Sequence, residues 1–139
     1  MKKQIGPSVL QSRLRRNGGE TELTRIISEE NIQDYAVQLE GLEPDEKGVI
    51  VYRKDDNNWV LLSQTRIIAV KDGTRLELFY EDILSATYAM QEEAQEAPGS
   101  FKGMSKVALI GKNGTRYVVQ LEPGRGFSGV YAALAFAVG

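Results

Sequence analysis

The stretch from Trp59 to Ile83 constrains the fold most, because it contains three short runs of apolar, β-branched and aromatic residues separated by turn signals. The runs occupy residues 59–62, 67–70 and 76–80. Asp72-Gly73, between the second and third runs, is a dipeptide typical of a two-residue hairpin turn. The pattern predicts a β-meander and by itself indicates no chemistry.

Further strand signals flank this stretch. Residues 48–53 read as an earlier strand, and residues 83–90 as a later one. After a long acidic and then Gly/Ser-rich excursion over residues 91–106, the sequence predicts a hairpin over residues 106–121 that turns at Asn113-Gly114. The total is about seven antiparallel strands, a mainly β (α+β) class.

Helical periodicity appears before and after these strands. Residues 20–44 are predicted as an N-terminal helical segment, with Ser28 as the N-cap and Gly41 and Pro44 ending the helix. Just upstream, residues 23–27 favour strand and helix equally. The chain ends in a segment that is apolar nearly all round, which predicts a buried helix. Its large residues at helical spacing are Phe127, Val130, Tyr131, Leu134 and Val138.

The charge is unevenly distributed along the chain. The first nineteen residues contain five basic residues and no acidic one, whereas the rest of the chain holds 12 basic and 19 acidic residues. The basic residues of this arm are Lys2, Lys3, Arg13, Arg15 and Arg16. We therefore expect residues 1–19 to be a flexible basic arm, which either seeks an anionic partner or folds back on the acidic body.

Composition excludes several classes of site. Because the sequence has neither Cys nor His, disulfides, thiolate nucleophiles and the commonest zinc ligands and general bases are excluded. We expect no enzyme activity, no cofactor and no metal. No apolar run is long enough to span a bilayer or to serve as the core of a signal peptide, so the expected location is the cytoplasm.

Two patterns invite a catalytic or ligand-binding interpretation. Residues 124–129 are a literal G-x-G-x-x-G, but the chain ends ten residues later, without the second strand and acidic residue of a dinucleotide site. The glycines are expected to allow a turn and a close approach of the helix to the sheet; the alternative is a weak anion site at the helix N-terminus, with Arg125 beside it. Glu81-Asp82 and the glutamates at 92, 93 and 96 are interpreted as solvated charge.

The sequence resembles small bacterial pleckstrin-homology (PH) and GRAM-type domains. The resemblance lies in residues 59–68 (WVLLSQTRII) and 79–85 (FYEDILS), and it extends over roughly residues 45–138, so a PH-like domain is expected over residues 45–139. It implies a seven-stranded antiparallel barrel or sandwich with a C-terminal capping helix, and lipid or protein binding rather than catalysis. In the loop that binds phosphoinositides in such domains, Asp55 and Asp56 would repel a phosphate.

These observations predict a non-catalytic binding module, with an unidentified protein as the expected partner. Phe101 and Met104 are candidate anchors in the long excursion, and Arg125 is a third candidate contact. One alternative is an immunity protein that neutralises a bacterial toxin. Another is a protein that binds a membrane surface or anionic lipid through the basic arm. Nucleic acid is not the expected partner, because few basic residues lie among the aromatic ones.

Overall fold

Two antiparallel sheets, with a helix near each end of the chain, form the described part of the molecule, residues 3–89 and 105–139 of a computed structural model. The five-stranded sheet contains, in spatial order, β1 (Thr24–Ile26), β2 (Gly48–Asp55), β3 (Asn58–Ser63), β4 (Arg66–Lys71) and β5 (Thr74–Phe79). The three-stranded sheet contains β6 (Ile83–Tyr88), β7 (Lys106–Gly111) and β8 (Arg116–Gln120). The helices are α1 (Pro7–Arg16), α2 (Ala36–Leu39) and α3 (Arg125–Val138), and 3₁₀ turns cover Ile32–Tyr35 and Tyr80–Asp82.

The predicted α+β class and the meander are confirmed. Each strand predicted from residue 48 onward is present, and the Asp72-Gly73 turn has φ angles of 50° and 82°, as a tight hairpin turn requires. Gly114 likewise has a positive φ of 86° in the turn between β7 and β8. Among the described residues the strands form two separate sheets and not one closed barrel.

The middle strands of the larger sheet, β2 to β4, are buried on both faces. On one face a cross-strand row formed by Tyr52, Val60 and Ala69 belongs to the main core, which also contains residues of the smaller sheet, α1 and α3. On the other face Leu61 and Ile68 pack in a second cluster under the segment of residues 27–42. Burial on both faces explains why these strands are nearly continuous in apolar residues.

The expectation that residues 1–19 form a flexible arm is wrong for helix α1. This helix packs on α3 and buries Leu10 and Leu14 completely. Leu14 lies so close to Gly129 that a methyl group on this glycine would overlap it. Since α3 is apolar on nearly every side, it needs a second helix to cover it, and α1 supplies that cover. A helix of ten residues, which is marginal alone, is thereby stabilised.

Residues 20–44 are not mainly helical, contrary to the prediction. Thr24–Ile26 forms strand β1, which pairs with β2. The helix expected from Ser28 is instead a 3₁₀ turn followed by one α-helical turn, which ends near the predicted place. Asn31 organises its start, because its side chain accepts a hydrogen bond from the Ser28 amide at 2.8 Å and donates one to the Ile26 carbonyl at 2.9 Å. The expected domain boundary at residue 45 therefore falls within one sheet and one continuous core.

Candidate functional site

An aromatic stack lies at the surface where the end of β6 meets α3. The rings of Tyr88 and Tyr131 are stacked, with centroids 4.7 Å apart and an interplanar angle of 14°. Phe127 lies beside both rings, with its centroid 5.7 Å from that of Tyr131 and 5.8 Å from that of Tyr88, and is buried. Tyr88 itself is 48% exposed. We call Tyr88, Tyr131 and Phe127 the aromatic stack.

Helix α3 and the strand hold this stack in place. Phe127 and Tyr131 are four residues apart on α3, so they lie on the same side of the helix. The Tyr131 hydroxyl donates a hydrogen bond to the Ala86 carbonyl of β6 at 3.2 Å. Burial, with a smaller contribution from Tyr88, raises the pKa of Tyr131, so the hydroxyl stays protonated and remains a donor at neutral pH. Tyr131 and Phe127 therefore hold the ring of Tyr88 in place at the surface.

Both ends of the long connection between β6 and β7 lie beside this stack. The Ala89 amide donates to the Lys106 carbonyl at 3.1 Å, so residues 90–104 leave and rejoin the sheet at one place. Antiparallel neighbours need as few as two residues to connect them. The predicted anchors Phe101 and Met104 and the glutamates at 92, 93 and 96 lie outside the described residues.

The basic residues of α1 and the candidate Arg125 lie on two neighbouring helices. Gly18, just after α1, is packed against the Arg125 carbonyl in the first turn of α3, and a methyl group there would overlap that oxygen. Arg125 is exposed, and so are Arg13, Arg15 and Arg16 on α1. Neither helix contains an acidic residue. Lys3 is half-buried, whereas Lys2 lies outside the described residues.

The glycine-rich segment serves packing, as predicted, but its partners differ from the expected ones. Gly124 has a φ of 84°, so it allows the turn into α3. A methyl group on Gly126 would lie 2.5 Å from the Glu122 carboxylate and 2.8 Å from the Thr24 hydroxyl. Gly129 gives room to α1 and not to a sheet. The close approach is therefore partly between helices, which sequence periodicity did not indicate.

A buried ion pair joins the loop before β2 to the β3–β4 turn. Glu46 accepts hydrogen bonds from Arg66 at 2.7 and 3.0 Å, and from the hydroxyls of Ser63 and Thr65 at 2.5 and 2.9 Å. Both charged side chains are at most 10% exposed. Arg66 also pairs with Glu77 at 2.5 Å. These bonds occupy both carboxylate oxygens of Glu46, so the pair holds the structure together and is not arranged as a reactive site.

The β2–β3 turn carries the two carboxylates expected from the sequence. Asp55 accepts hydrogen bonds from the Asn57 amide at 2.8 Å and from the Asn58 side chain at 3.1 Å. Both hydrogen bonds lower the pKa of Asp55, and the bond from Asn58 has the larger effect. Asp55 is therefore ionised at neutral pH and used to close the turn, and a phosphate at this turn would meet its negative charge.

The paired acidic residues Glu81 and Asp82 lie in the 3₁₀ turn before β6. Within residues 3–89 and 105–139, no group of three or more acidic side chains is placed to hold a metal ion.

No helix of the same residues is long and apolar enough to cross a membrane.

A cleft of about 340 Å³ opens where the larger sheet approaches strand β8. Its lining combines apolar side chains such as Val60, Leu76 and Val118 with the polar Asn58 and Gln120. The Gln120 amide group donates to the Leu121 carbonyl at 2.8 Å, so its donors are already engaged within the fold. The cleft has room for a small molecule, and the charged residues of its lining are one cation, Lys71, and one anion, Asp72.

Comparison with known proteins gives no assignment, since no family model, no curated protein and no solved structure matches this chain.

The sequence does not indicate that Tyr88 and Tyr131 meet. It predicts a strand for Tyr88 and a helix for Tyr131, and the structure confirms both elements. Their stacking joins residues 43 positions apart, so it depends on how α3 crosses the smaller sheet. The spacing of Phe127 and Tyr131 was the one local signal of an aromatic side on α3.

Proposed function

We propose that this protein is a non-catalytic binding module that engages a protein partner through Tyr88 and the adjoining residues 90–104. The observation that carries the proposal is the position of the half-exposed Tyr88. It lies on a fixed aromatic base, one residue before the point where the long connection leaves the sheet. Phe101 and Met104 in that connection are the proposed apolar anchors.

The chemistry of this surface suits protein recognition. Tyrosine contributes a large amphipathic contact area and is enriched among the residues that dominate binding energy at interfaces. Because Tyr131 and Phe127 already fix the ring of Tyr88, little side-chain entropy remains to be lost on binding. Leu84, also on β6, is 64% exposed and adds apolar area to the same strand.

The internal polar groups support binding over turnover. A catalytic centre needs a nucleophile or base that is free to reach a substrate. In the described part of the chain, the partly buried carboxylates of Glu46 and Glu122 are instead hydrogen-bonded to neighbouring segments. Catalysis by a carboxylate, lysine or tyrosine side chain would therefore need residues other than Glu46 and Glu122.

A PH-like architecture is part of this proposal. Its support is the order of seven antiparallel strands, β2 to β8, followed by a C-terminal helix packed on the core. The additional strand β1 and helix α1 are departures from that plan. Where such a scaffold binds is decided by its surface residues and not by the fold.

The test is affinity capture from a lysate of the source cell, followed by measurement of Kd with the captured partner. Three variants are compared with the native protein: Tyr88→Ser, the double variant Phe101→Ser/Met104→Ser, and the control Val37→Ser. Val37 is 50% exposed on α2, so the control removes a comparable apolar surface elsewhere.

We expect the first two variants to weaken binding by about 1 to 3 kcal/mol each, and the control to leave Kd unchanged. All variants should keep the native melting temperature within a few degrees. Equal affinity of the native protein and both site variants would refute this location for the interface. Unfolding of the double variant would instead show that Phe101 and Met104 belong to the core.

A further inference from the structure

Helices α1 and α3 form one face with positive charge and no carboxylate of its own. They run antiparallel, because Leu14 lies against Gly129 while Gly18 lies against Arg125. The face is basic although the chain as a whole has a net charge of −2.

The packing of α1 determines which arginines lie on this face. Leu10 and Leu14 point into the core, and at 100° per residue Val9, Arg13 and Arg16 then lie together on one side of the helix. Arg15 lies on the opposite side of the helix. There it lines a polar hollow that contains four acidic residues and a second arginine: Glu20, Glu22, Glu30, Asp34 and Arg25.

Apolar side chains are exposed among these arginines. The guanidinium of Arg13 lies 4.5 Å from the centre of the Phe136 ring on α3. Phe136 is 39% exposed and Val9 is 37% exposed. The face therefore carries exposed apolar side chains among its arginines, and a membrane surface offers phosphates to the arginines and an apolar boundary to Val9 and Phe136.

We propose that the α1–α3 face, formed by Val9, Arg13, Arg16, Arg125 and Phe136, docks on the surface of an anionic lipid bilayer. The arginines contact the phosphates of the headgroups, and Val9 and Phe136 enter the boundary between headgroups and acyl chains. This surface is separate from the protein-binding surface at Tyr88, and the proposal does not depend on it.

Charge and apolar exposure together favour a bilayer over a nucleic acid. A nucleic acid would satisfy the arginines but would offer no apolar region for Val9. A bilayer of acidic phospholipids satisfies both kinds of group.

The test is sedimentation of the full-length protein with vesicles of phosphatidylcholine alone or mixed with phosphatidylglycerol, at low and at physiological salt. Two double variants remove the same charge: Arg13→Gln/Arg16→Gln on the proposed face and Arg15→Gln/Arg25→Gln on the polar hollow. A third variant, Val9→Ser, removes apolar surface only. Melting temperatures establish that all three are folded.

We expect binding only to the anionic vesicles, weaker at higher salt. Each arginine on the face contributes about fivefold in affinity, so Arg13→Gln/Arg16→Gln loses roughly 25-fold, whereas the control loses less than about twofold. Val9→Ser loses about threefold. Equal losses in the two double variants would overturn the proposal, as would absence of binding to anionic vesicles at low salt. Tighter binding of a single-stranded RNA than of vesicles would also overturn it, in favour of a nucleic acid.

Discussion

Glu46 allows the sharpest test of what holds the loop before β2 against the β3–β4 turn. Burial alone would raise its pKa, but hydrogen bonds from Arg66, Ser63, the Glu43 amide and Thr65 outweigh burial and lower the pKa from 4.5 to about 2. In the unfolded chain the pKa returns to its ordinary value. At 1.36 kcal/mol per pKa unit, ionised Glu46 contributes about 3 kcal/mol to the free energy of unfolding at pH 7.

The sign of the pH dependence follows from the lowered pKa. The contribution is fully present above pH 4.5 and is lost as the pH falls from 4.5 towards 2, so about 1.5 kcal/mol remains at pH 3. Glu46→Gln removes the charge and leaves Arg66 partly unpaired. We therefore expect this variant to be about 3 kcal/mol less stable at pH 7, which lowers the melting temperature by roughly 10 °C. The deficit should be clearly smaller at pH 3.

Urea denaturation at pH 7 and pH 3 measures both effects. The matched control is Glu43→Gln, which removes the same charge from an exposed side chain three residues away. Its stability should stay within about 0.5 kcal/mol of the native value at both pH values. A Glu46→Gln deficit below about 1 kcal/mol at pH 7, or one of equal size at both pH values, would refute the reasoning.

Three further substitutions test packing at separate places. Leu134→Asp puts an unpaired charge into the core beneath α3, so thermal melting should show a loss of several kcal/mol, and an unchanged melting temperature would mean that α3 is not docked there. Gly18→Ala forces a methyl group onto the Arg125 carbonyl, and chemical denaturation should show a loss of about 1 to 3 kcal/mol. Tyr80→Phe removes the buried hydrogen bond to the Ser63 carbonyl at 2.6 Å, and the same measurement should show a loss of about 1 to 2 kcal/mol.

The strands that the sequence predicts well are those with local signals at both ends. Asp72-Gly73 and Asn113-Gly114 predict their hairpins because Asp72, Gly73 and Gly114 have positive φ angles, which favour these residue types. Strand β1 has no such signal. It is three residues long and pairs with β2, more than twenty residues further along the chain, so its identity depends on tertiary pairing.

The order of helix α1 likewise depends on tertiary contacts that its own sequence does not indicate. Its sequence offers Pro7 at the start and two leucines four residues apart, which is too little for a stable isolated helix. The information that makes it ordered lies in α3, where Gly129 provides the space for Leu14. The aromatic stack has the same character, since Tyr88 and Tyr131 become neighbours only when α3 packs across β6.

The docking of α1 also ties the fold to the surface charge. Since Leu10 and Leu14 must both face the core, the rotation of the helix about its axis is determined, and Arg13 and Arg16 must point outward on the side of Phe136. Deleting residues 1–19 would therefore remove two fully buried leucines together with the arginines. Such a deletion cannot separate a binding role from a structural one, whereas substitutions of the exposed arginines leave the leucines in place and can.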